Sequence, residues 1–190
     1  MSLPHAILTA LLERPSSGLE LTRRFDRSIG YFWSATHQQI YRELGRLEKD
    51  GLIRAVPQPP SRGRRKEYEV LPAGRAALTG WIAHDQDPKP IRDPLLLRLR
   101  AAAAVGSGAE LGGELRRHLD LHLRQLAEYR EIEERDFTAP QGGAERRIQH
   151  LVLQAGIGLE TFWVEWLRAA AEVLPAPEDG PDGTDGTDGD

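Results

Sequence analysis

A long apolar stripe near the C-terminus is the feature that most constrains how this chain can fold. Apolar side chains recur there at steps of three or four residues, with no polar interruption, at Ile148, Val152, Ala155, Leu159, Phe162, Trp166, Ala170 and Val173. This spacing places them on one face of a single helix over residues 144–174, as in a coiled-coil seam. A chain of 190 residues has little else to cover such a stripe, so we predict a homodimer. The predicted dimer contacts are Ile148, Val152, Leu159, Phe162, Trp163 and Trp166.

The segment before this helix is also helical in pattern. A Leu- and Ala-rich helix is predicted from Pro94 to Val105. Ser107 and Glu110 match a capping box and predict the start of a long helix that reaches Asp136. Its predicted seam comprises Leu111, Leu115, Leu119, His122, Leu126 and Tyr129. Residues 94–174 are therefore predicted to form an α-helical dimerisation domain.

The first eighty residues have a different organisation, with three short helices and then a hairpin. The first helix covers residues 3–14, and Pro15 ends it. Ser17 and Glu20 match a capping box for a second helix to Arg27 that buries Leu19, Leu21 and Phe25. A third helix is predicted over 35–50, with Ser34 as N-cap and Gly51 as the left-handed residue after its end.

Two short strands follow, over residues 52–56 and 66–70, and a loop with three prolines separates them. Pro72 then suits the first turn of a fourth helix. Three helices and a hairpin in this order predict a winged helix-turn-helix with a two-stranded β wing. The whole chain is thus expected to be mainly α.

Charge is distributed unevenly along the chain, whose net charge is -4. Residues 1–80 contain 13 bases and 8 acids, a net of +5, and a basic region favours nucleic acid as partner. Residues 175–190 carry acids but no base, and we expect a disordered acidic tail. The predicted domains are 1–84 and 94–174, joined by a polar linker over 85–93.

The third helix carries polar side chains at its start, where a recognition helix contacts DNA. In a helix-turn-helix the second helix of the pair enters the major groove and presents its N-terminal residues to base edges. Glutamine pairs with adenine, and arginine binds guanine or phosphate. The predicted contacts are Ser34, Thr36, His37, Gln38, Gln39, Tyr41 and Arg42. For these residues alone, a solvated helix start is the alternative.

The loop between the strands is strongly basic. Arg62, Arg64, Arg65 and Lys66 occur within five residues of its tip. A basic loop by itself is usually only solvated, but beside a recognition helix it favours contact with the phosphate backbone. Double-stranded DNA is therefore the predicted partner.

Enzyme chemistry has little support in the sequence. The chain has no cysteine, which excludes disulfides, thiolate metal sites and a cysteine nucleophile. Glu114, His118 and His122 share one helical face, but a polar stripe is the commoner reason for such spacing than a metal site. We predict no enzyme, no metal and no cofactor. Because no apolar run approaches the roughly 20 residues of a membrane span and Met1 to Leu12 lacks signal-peptide features, we expect a cytoplasmic protein.

An ordered series of residues carries a family resemblance over positions 1–82. The series is Leu19-Glu20-Leu21, Trp33, Gln39 to Leu44, Leu47-Glu48, Gly51-Leu52-Ile53, Arg64, Lys66, Tyr68, Gly74 and Trp81. In its order and spacing it resembles the PadR family of bacterial transcriptional regulators. Leu71 stands where the family usually has threonine, so we predict that the fourth helix lacks a side-chain N-cap.

The resemblance implies a winged-helix repressor that is dimeric through its C-terminal helices. It also implies release from DNA by a small hydrophobic or aromatic effector, for which Trp81, Trp163 and Trp166 are candidate contacts. Two alternatives remain open from the residues: a MarR-like regulator, and a winged-helix adaptor that binds protein instead of DNA.

Overall fold

The computed structural model describes residues 3–25, 35–56, 66–137 and 143–174. The elements are α1 (Leu3–Glu13), β1 (Ser16–Ser17), α2 (Gly18–Arg24), α3 (His37–Lys49), β2 (Ile53–Val56), β3 (Glu67–Val70), α4 (Pro72–Ile82), α5 (Pro94–Val105), a 3-10 turn (Gly108–Leu111), α6 (Gly112–Phe137) and α7 (Ala144–Val173). The chain divides into two compact units, Met1–Lys89 and Pro90–Asp190. The predicted mainly α class is confirmed. Within the described ranges, no helix is both long and apolar enough to cross a membrane.

The first unit is a winged helix around one apolar core. Side chains from α1, α2, α3, β2 and α4 meet there, and its larger members are Ile7, Leu8, Leu11, Leu21, Phe25, Ile40, Leu44, Leu47, Ile53 and Leu78. Each of these helices contributes the apolar face that its periodicity predicts. Leu19 is an exception, because it is only half-buried where the sequence predicts burial.

The connection between α1 and α2 is fixed by reciprocal hydrogen bonds. The Glu20 backbone N–H donates to Ser17 Oγ (3.3 Å), and the Ser17 N–H donates to Glu20 Oε2 (3.0 Å), which confirms the predicted capping box. Arg24 then reaches back from α2 and donates to the carbonyl oxygens of Ala10 (2.6 Å) and Arg14 (3.1 Å). The Ala10 carbonyl also accepts from the Arg14 N–H (3.2 Å), so Arg24 adds a second donor there and supplies one to Arg14, just beyond the end of α1.

The sheet has three strands, one more than the sequence predicts. Its order is β1-β3-β2, and both pairings are antiparallel. β2 and β3 form the predicted hairpin, in which Ile53 lies opposite Val70. The additional strand β1 places Ser16 opposite Tyr68. It ties the connection between α1 and α2 to the base of the wing.

The third helix starts later than predicted, and with a different cap. Its N-cap is Thr36, whose Oγ1 accepts from the Gln39 N–H, and Gln39 Oε1 accepts from the Thr36 N–H. The assignment of Ser34 as N-cap is therefore wrong, because Thr36 and Gln39 together form a complete capping box two residues later. Gly51 has φ of 70°, as predicted for the residue that follows the helix.

The fourth helix packs closely against the start of β2 through a glycine. A Cβ at Gly74 would lie 2.3 Å from the carbonyl oxygen of Leu52, so no larger residue fits without a shift. The N-cap position, Leu71, makes no side-chain hydrogen bond to the helix, and this confirms the predicted loss of a cap.

The second unit begins with α5, which Asp93 caps. Asp93 Oδ1 accepts from the N–H groups of Leu95 (2.8 Å) and Leu96 (3.2 Å). Gly106, with φ of 77°, ends the helix. The predicted capping box at Ser107 and Glu110 is wrong: Ser107 makes no side-chain cap, and the segment forms a 3-10 turn before α6 begins. Two glycines at the start of α6 disfavour an earlier regular helix.

The helices α6 and α7 pack side by side as an antiparallel hairpin. Leu115 near one end of α6 shares a core with Leu167, while Glu133 near its other end contacts His150. Buried positions on α6 are Leu115, Leu126, Tyr129 and Ile132, and those on α7 are Leu153, Val164 and Leu167. Trp163, Trp166 and Leu99 of α5 close the core at one end.

Candidate DNA-contact and dimer-contact surfaces

The helix α3 has one buried and one exposed face. Ile40, Leu44 and Leu47 are buried in the core of the first unit. The opposite face is solvent-exposed and carries most of the predicted DNA contacts: Thr36, His37, Gln38, Gln39, Tyr41 and Arg42. The structure therefore brings these residues together on one surface at the start of the helix. Ser34 lies outside the described residues.

Two of these side chains, those of Thr36 and Gln39, form hydrogen bonds at the start of α3. The Thr36 N–H donates to Gln39 Oε1 at 2.8 Å, and the Gln39 N–H donates to Thr36 Oγ1 at 3.2 Å. Gln38 is exposed and precedes Gln39 on the same turn. Sequence reasoning treated the two glutamines alike, although the Thr-x-x-Gln pattern of a capping box was present to separate them.

Tyr41 of α3 lies against the start of α2, at the residue that directly follows β1. Its ring lies over Gly18, and it is 51% exposed. Burial raises the pKa of the nearby Tyr68 on β3, and the charges of Glu48 and Tyr41 add to this increase. Sequence reasoning assigned no role to Gly18.

The wing is described only at its base. Lys66 is exposed immediately before β3, whereas Arg62, Arg64 and Arg65 lie outside the described residues. Across the two strands, Arg54 of β2 forms an ion pair with Glu69 of β3. β2 and β3 are therefore paired as far as Val56 and Glu67, close to either end of the predicted basic loop.

Positive charge on α3 is partly balanced within the helix. Arg46 lies 3.6 Å from both Glu43 and Asp50, three and four residues away. Arg42, one turn earlier, is exposed on the same side as the predicted base contacts. Arg42 is therefore the better placed of the two arginines for a DNA contact.

The predicted dimer stripe on α7 is largely exposed in the single chain. Ile148, Leu159 and Phe162 are 61%, 56% and 52% exposed, and Val152 is exposed as well. Trp163 and Trp166 are instead half-buried against the core of the second unit. The helix thus has two apolar stripes, one packed on α6 and one facing solvent, about a third of a turn apart.

Glu114, His118 and His122 form contacts with neighbouring side chains. Arg117 and Arg98 both donate to Glu114, and hydrogen bonding from Arg117 is the main cause that lowers its pKa to about 2. His122 Nδ1 lies 2.6 Å from Glu160 Oε2, and its ring stacks on Trp163. In the part of the chain that the structure describes, no cluster of metal-ligating side chains is present.

Comparison with known proteins identifies the family. The model of the Transcriptional regulator PadR-like family matches residues 7–80, and the model described as Virulence activator alpha C-term matches residues 91–175. The Probable transcriptional regulator Rv1176c of Mycobacterium tuberculosis is 42% identical, over 92% of this chain and 98% of its own. The chain belongs to the PadR-like family of transcriptional regulators.

Solved structures of PadR-like regulators share the fold over nearly the whole chain. The Vibrio cholerae virulence activator AphA is 31% identical and covers 90% of this chain and 97% of its own, with a TM-score of 0.76. Bacillus subtilis PadR in complex with operator DNA is 26% identical, with a TM-score of 0.74. The match covers 91% of this chain and 99% of the PadR chain. PadR has also been solved with p-coumaric acid.

Membership of the PadR-like family confirms the predicted resemblance and makes the MarR-like alternative wrong. The family consists of transcriptional regulators, and the chain is a regulator and not an enzyme.

Proposed function

We propose that this PadR-like regulator binds operator DNA through the exposed start of α3 and the basic wing. The main observation behind this proposal is that α3 has one face in the core and one exposed face. Gln38, Tyr41 and Arg42 are exposed near its N-terminal end. This is the end of a recognition helix that contacts bases. The B. subtilis PadR complex with operator DNA, which matches over 91% of this chain, supports the same use of the fold.

The proposed DNA-binding form is a homodimer. The solvent-facing stripe of α7, with Ile148, Leu159 and Phe162, is more apolar than a monomer would normally expose on one helix. A second copy covers it with an identical stripe, as a two-fold interface requires. Two recognition helices then contact two half-sites of one operator. Because operators lie on the chromosome, we place the protein in the cytoplasm.

A small aromatic or hydrophobic effector is the proposed signal that releases the repressor from DNA. B. subtilis PadR was solved with p-coumaric acid, which is such a compound. Among the three candidate tryptophans, Trp166 lines an open apolar groove of about 330 Å³ together with Leu99, Ala169, Ala170, Val173 and Leu174. Trp81 stacks on His5, Trp163 stacks on His122, and Trp166 contacts Trp163 edge to face, so the groove alone distinguishes Trp166.

Activation of transcription is a second candidate outcome of operator binding. It is favoured by the match of residues 91–175 to the Virulence activator alpha C-term model. The V. cholerae activator AphA shares the fold over 90% of this chain. A reporter gene under the protein's own upstream region distinguishes the two, because a repressor lowers its expression and an activator raises it.

A mobility-shift assay on the protein's own upstream DNA tests the proposal. We expect a specific complex with a steep salt dependence, since the wing bases displace counterions from phosphates. Replacing two of Arg62, Arg64, Arg65 and Lys66 by glutamine should lower the log–log salt slope by about 2 per protomer. Arg168→Gln, an exposed base on α7, is the matched control and should leave the slope unchanged. A protein that shifts no DNA would favour the adaptor alternative.

A further inference from the structure

Gly18 begins α2 in a backbone conformation that other residues adopt. The glycines with positive φ among the described residues are Gly51 and Gly106, and Gly18 is not one of them. Glycine is a poor helix former, second only to proline. A close contact, and not the backbone, therefore accounts for glycine at this buried position.

That contact is with the ring of Tyr41. A Cβ at Gly18 would lie 2.5 Å from Tyr41 Cε1, 3.1 Å from Cζ and 3.2 Å from Cδ1. All three are atoms of one ring edge, so the phenol lies directly over the start of α2. Any side chain at position 18 would require the ring to move, because real Cβ atoms do not approach other atoms so closely.

The Tyr41 ring is partly packed on Gly18 and partly open to solvent. Tyr41 is 51% exposed, unlike Tyr129, which lies over Gly156 in the second unit and is only 3% exposed. Gly18 directly follows β1, which pairs with β3, so the Tyr41 ring over Gly18 lies beside the base of the wing. The hydroxyl group is thus held at the junction of the recognition helix and the wing, on the surface that we assign to DNA.

We propose that Gly18 is a positioning residue that holds the Tyr41 hydroxyl group for a hydrogen bond to a DNA phosphate. Tyrosine is among the side chains that bind phosphate oxygens and fix a protein's register on the duplex. The inference rests on the proposed DNA-binding function. It assigns Tyr41 to the phosphate backbone. Loss of the hydrogen bond from Tyr41 therefore weakens specific and non-specific binding by the same factor.

Three variants test the inference: Gly18→Ala, Tyr41→Phe and the double variant. Affinity is measured by mobility shift on the upstream duplex and on an unrelated duplex of equal length. Each single variant should weaken binding to both duplexes about tenfold, the effect of losing a charge-assisted hydrogen bond. In the double variant the loss should stay at about tenfold, because Gly18 acts only through the hydroxyl group.

The control is Gly80→Ala on α4, where an added Cβ meets no atom within 4 Å. It should leave both affinities unchanged. In NMR spectra of the free protein, Gly18→Ala should shift the ring resonances of Tyr41, which Tyr41→Phe identifies, and Gly80→Ala should not.

Several outcomes would overturn the inference. If the wild type binds its upstream duplex and Gly18→Ala binds equally well, the proposed function stands and the role of Gly18 fails. A further tenfold loss in the double variant, or loss of the folded circular-dichroism spectrum in Gly18→Ala, would give Gly18 a role apart from Tyr41. If the wild type binds no DNA, the proposed function fails as well.

Discussion

The ring of His5 is packed flat against the indole ring of Trp81. Its ring centroid lies 4.5 Å from that of Trp81, with 9° between the planes. Nδ1 is buried and unpaired within the described part of the chain. Burial lowers the pKa of His5 below its usual 6.5, because the protonated ring would lose its water of hydration.

The neutral form of His5 is therefore favoured by folding. Its contribution to stability is fully present above pH 6.5, the unfolded value, and is lost as the pH falls through the lowered folded value. We expect the thermal midpoint of the wild type to fall between pH 7 and pH 5 more steeply than that of His5→Phe. Circular-dichroism melts across this range measure it. His84→Phe, at an exposed histidine, should keep the wild-type slope, and equal slopes in wild type and His5→Phe would contradict the argument.

Leu71 is the second residue where a local change should be measurable. It has the extended backbone of an N-cap, with φ of -81° and ψ of 163°, but no side-chain oxygen to accept from α4. Leu71→Thr should supply this hydrogen bond and gain about 1 kcal/mol relative to Leu71→Ala. The alanine variant is the control because it removes the same apolar side chain without adding a cap. Urea titration of both variants gives the difference, and equal midpoints would show that the cap does not form.

At the scale of elements, α3 places the adjacent residues Gln38 and Gln39 in different environments. Gln39 closes the capping box with Thr36, whereas Gln38 is exposed beside it. Gln38→Ala should lower the ratio of specific to non-specific affinity, by about 1–3 kcal/mol for a good base contact, and leave the melting temperature unchanged. Gln39→Ala should lower both this ratio and the melting temperature, because it also removes one of the capping hydrogen bonds.

Gln39→Glu provides the matched control for this experiment. Glutamate at this position retains the capping box, so the melting temperature should return to that of the wild type. A Gln38→Ala variant with an unchanged affinity ratio would remove Gln38 from base recognition.

Elements with strong local signals were predictable from sequence, and those that depend on tertiary contacts were not. The Ser17 and Glu20 capping box, Gly51 and the β2–β3 hairpin follow from nearby residues, and the structure has all three. β1 has only two residues and exists because it pairs with β3, fifty residues away along the chain. Its two residues are serines, which are not enriched in strands, so they do not predict a strand.

The second unit shows a related limit. The stripe of α7 that packs on α6 includes His150 and Glu160, which lie 2.6 Å from Glu133 and His122. Polar residues at these positions hide the stripe from a search for apolar periodicity. The uninterrupted apolar stripe that the sequence displays instead is the one that faces solvent. Sequence reasoning therefore found the candidate dimer surface more readily than the intramolecular one.

At the scale of the whole molecule, the solvent-facing stripe makes assembly testable without disturbing the fold. Leu159→Lys places a charge on the stripe at a position that is 56% exposed in the single chain. It should convert the proposed dimer to a folded monomer, with loss of tight operator binding because two half-sites need two recognition helices. Sedimentation equilibrium at micromolar concentration measures the mass.

Gln154→Lys serves as the control, since Gln154 is exposed on a different face of α7. It should remain dimeric and bind the operator normally. A wild type that sediments as a monomer would remove both the dimer and the two-half-site mechanism.

The two His–Glu contacts of the α6–α7 hairpin define how far the helices are slid along each other. Displacement by one helical turn would break both contacts, Glu160 with His122 and His150 with Glu133. The solvent-facing stripe has no polar contacts that would fix an alignment, because leucine and isoleucine pack against one another equally well after a shift of one helical turn. Within one chain the two His–Glu contacts therefore favour one alignment, whereas in the proposed dimer the alignment must be set by features outside the stripe. In the proposed dimer, the stripe alone would therefore not distinguish a second copy of this chain from a related regulator with a similar stripe.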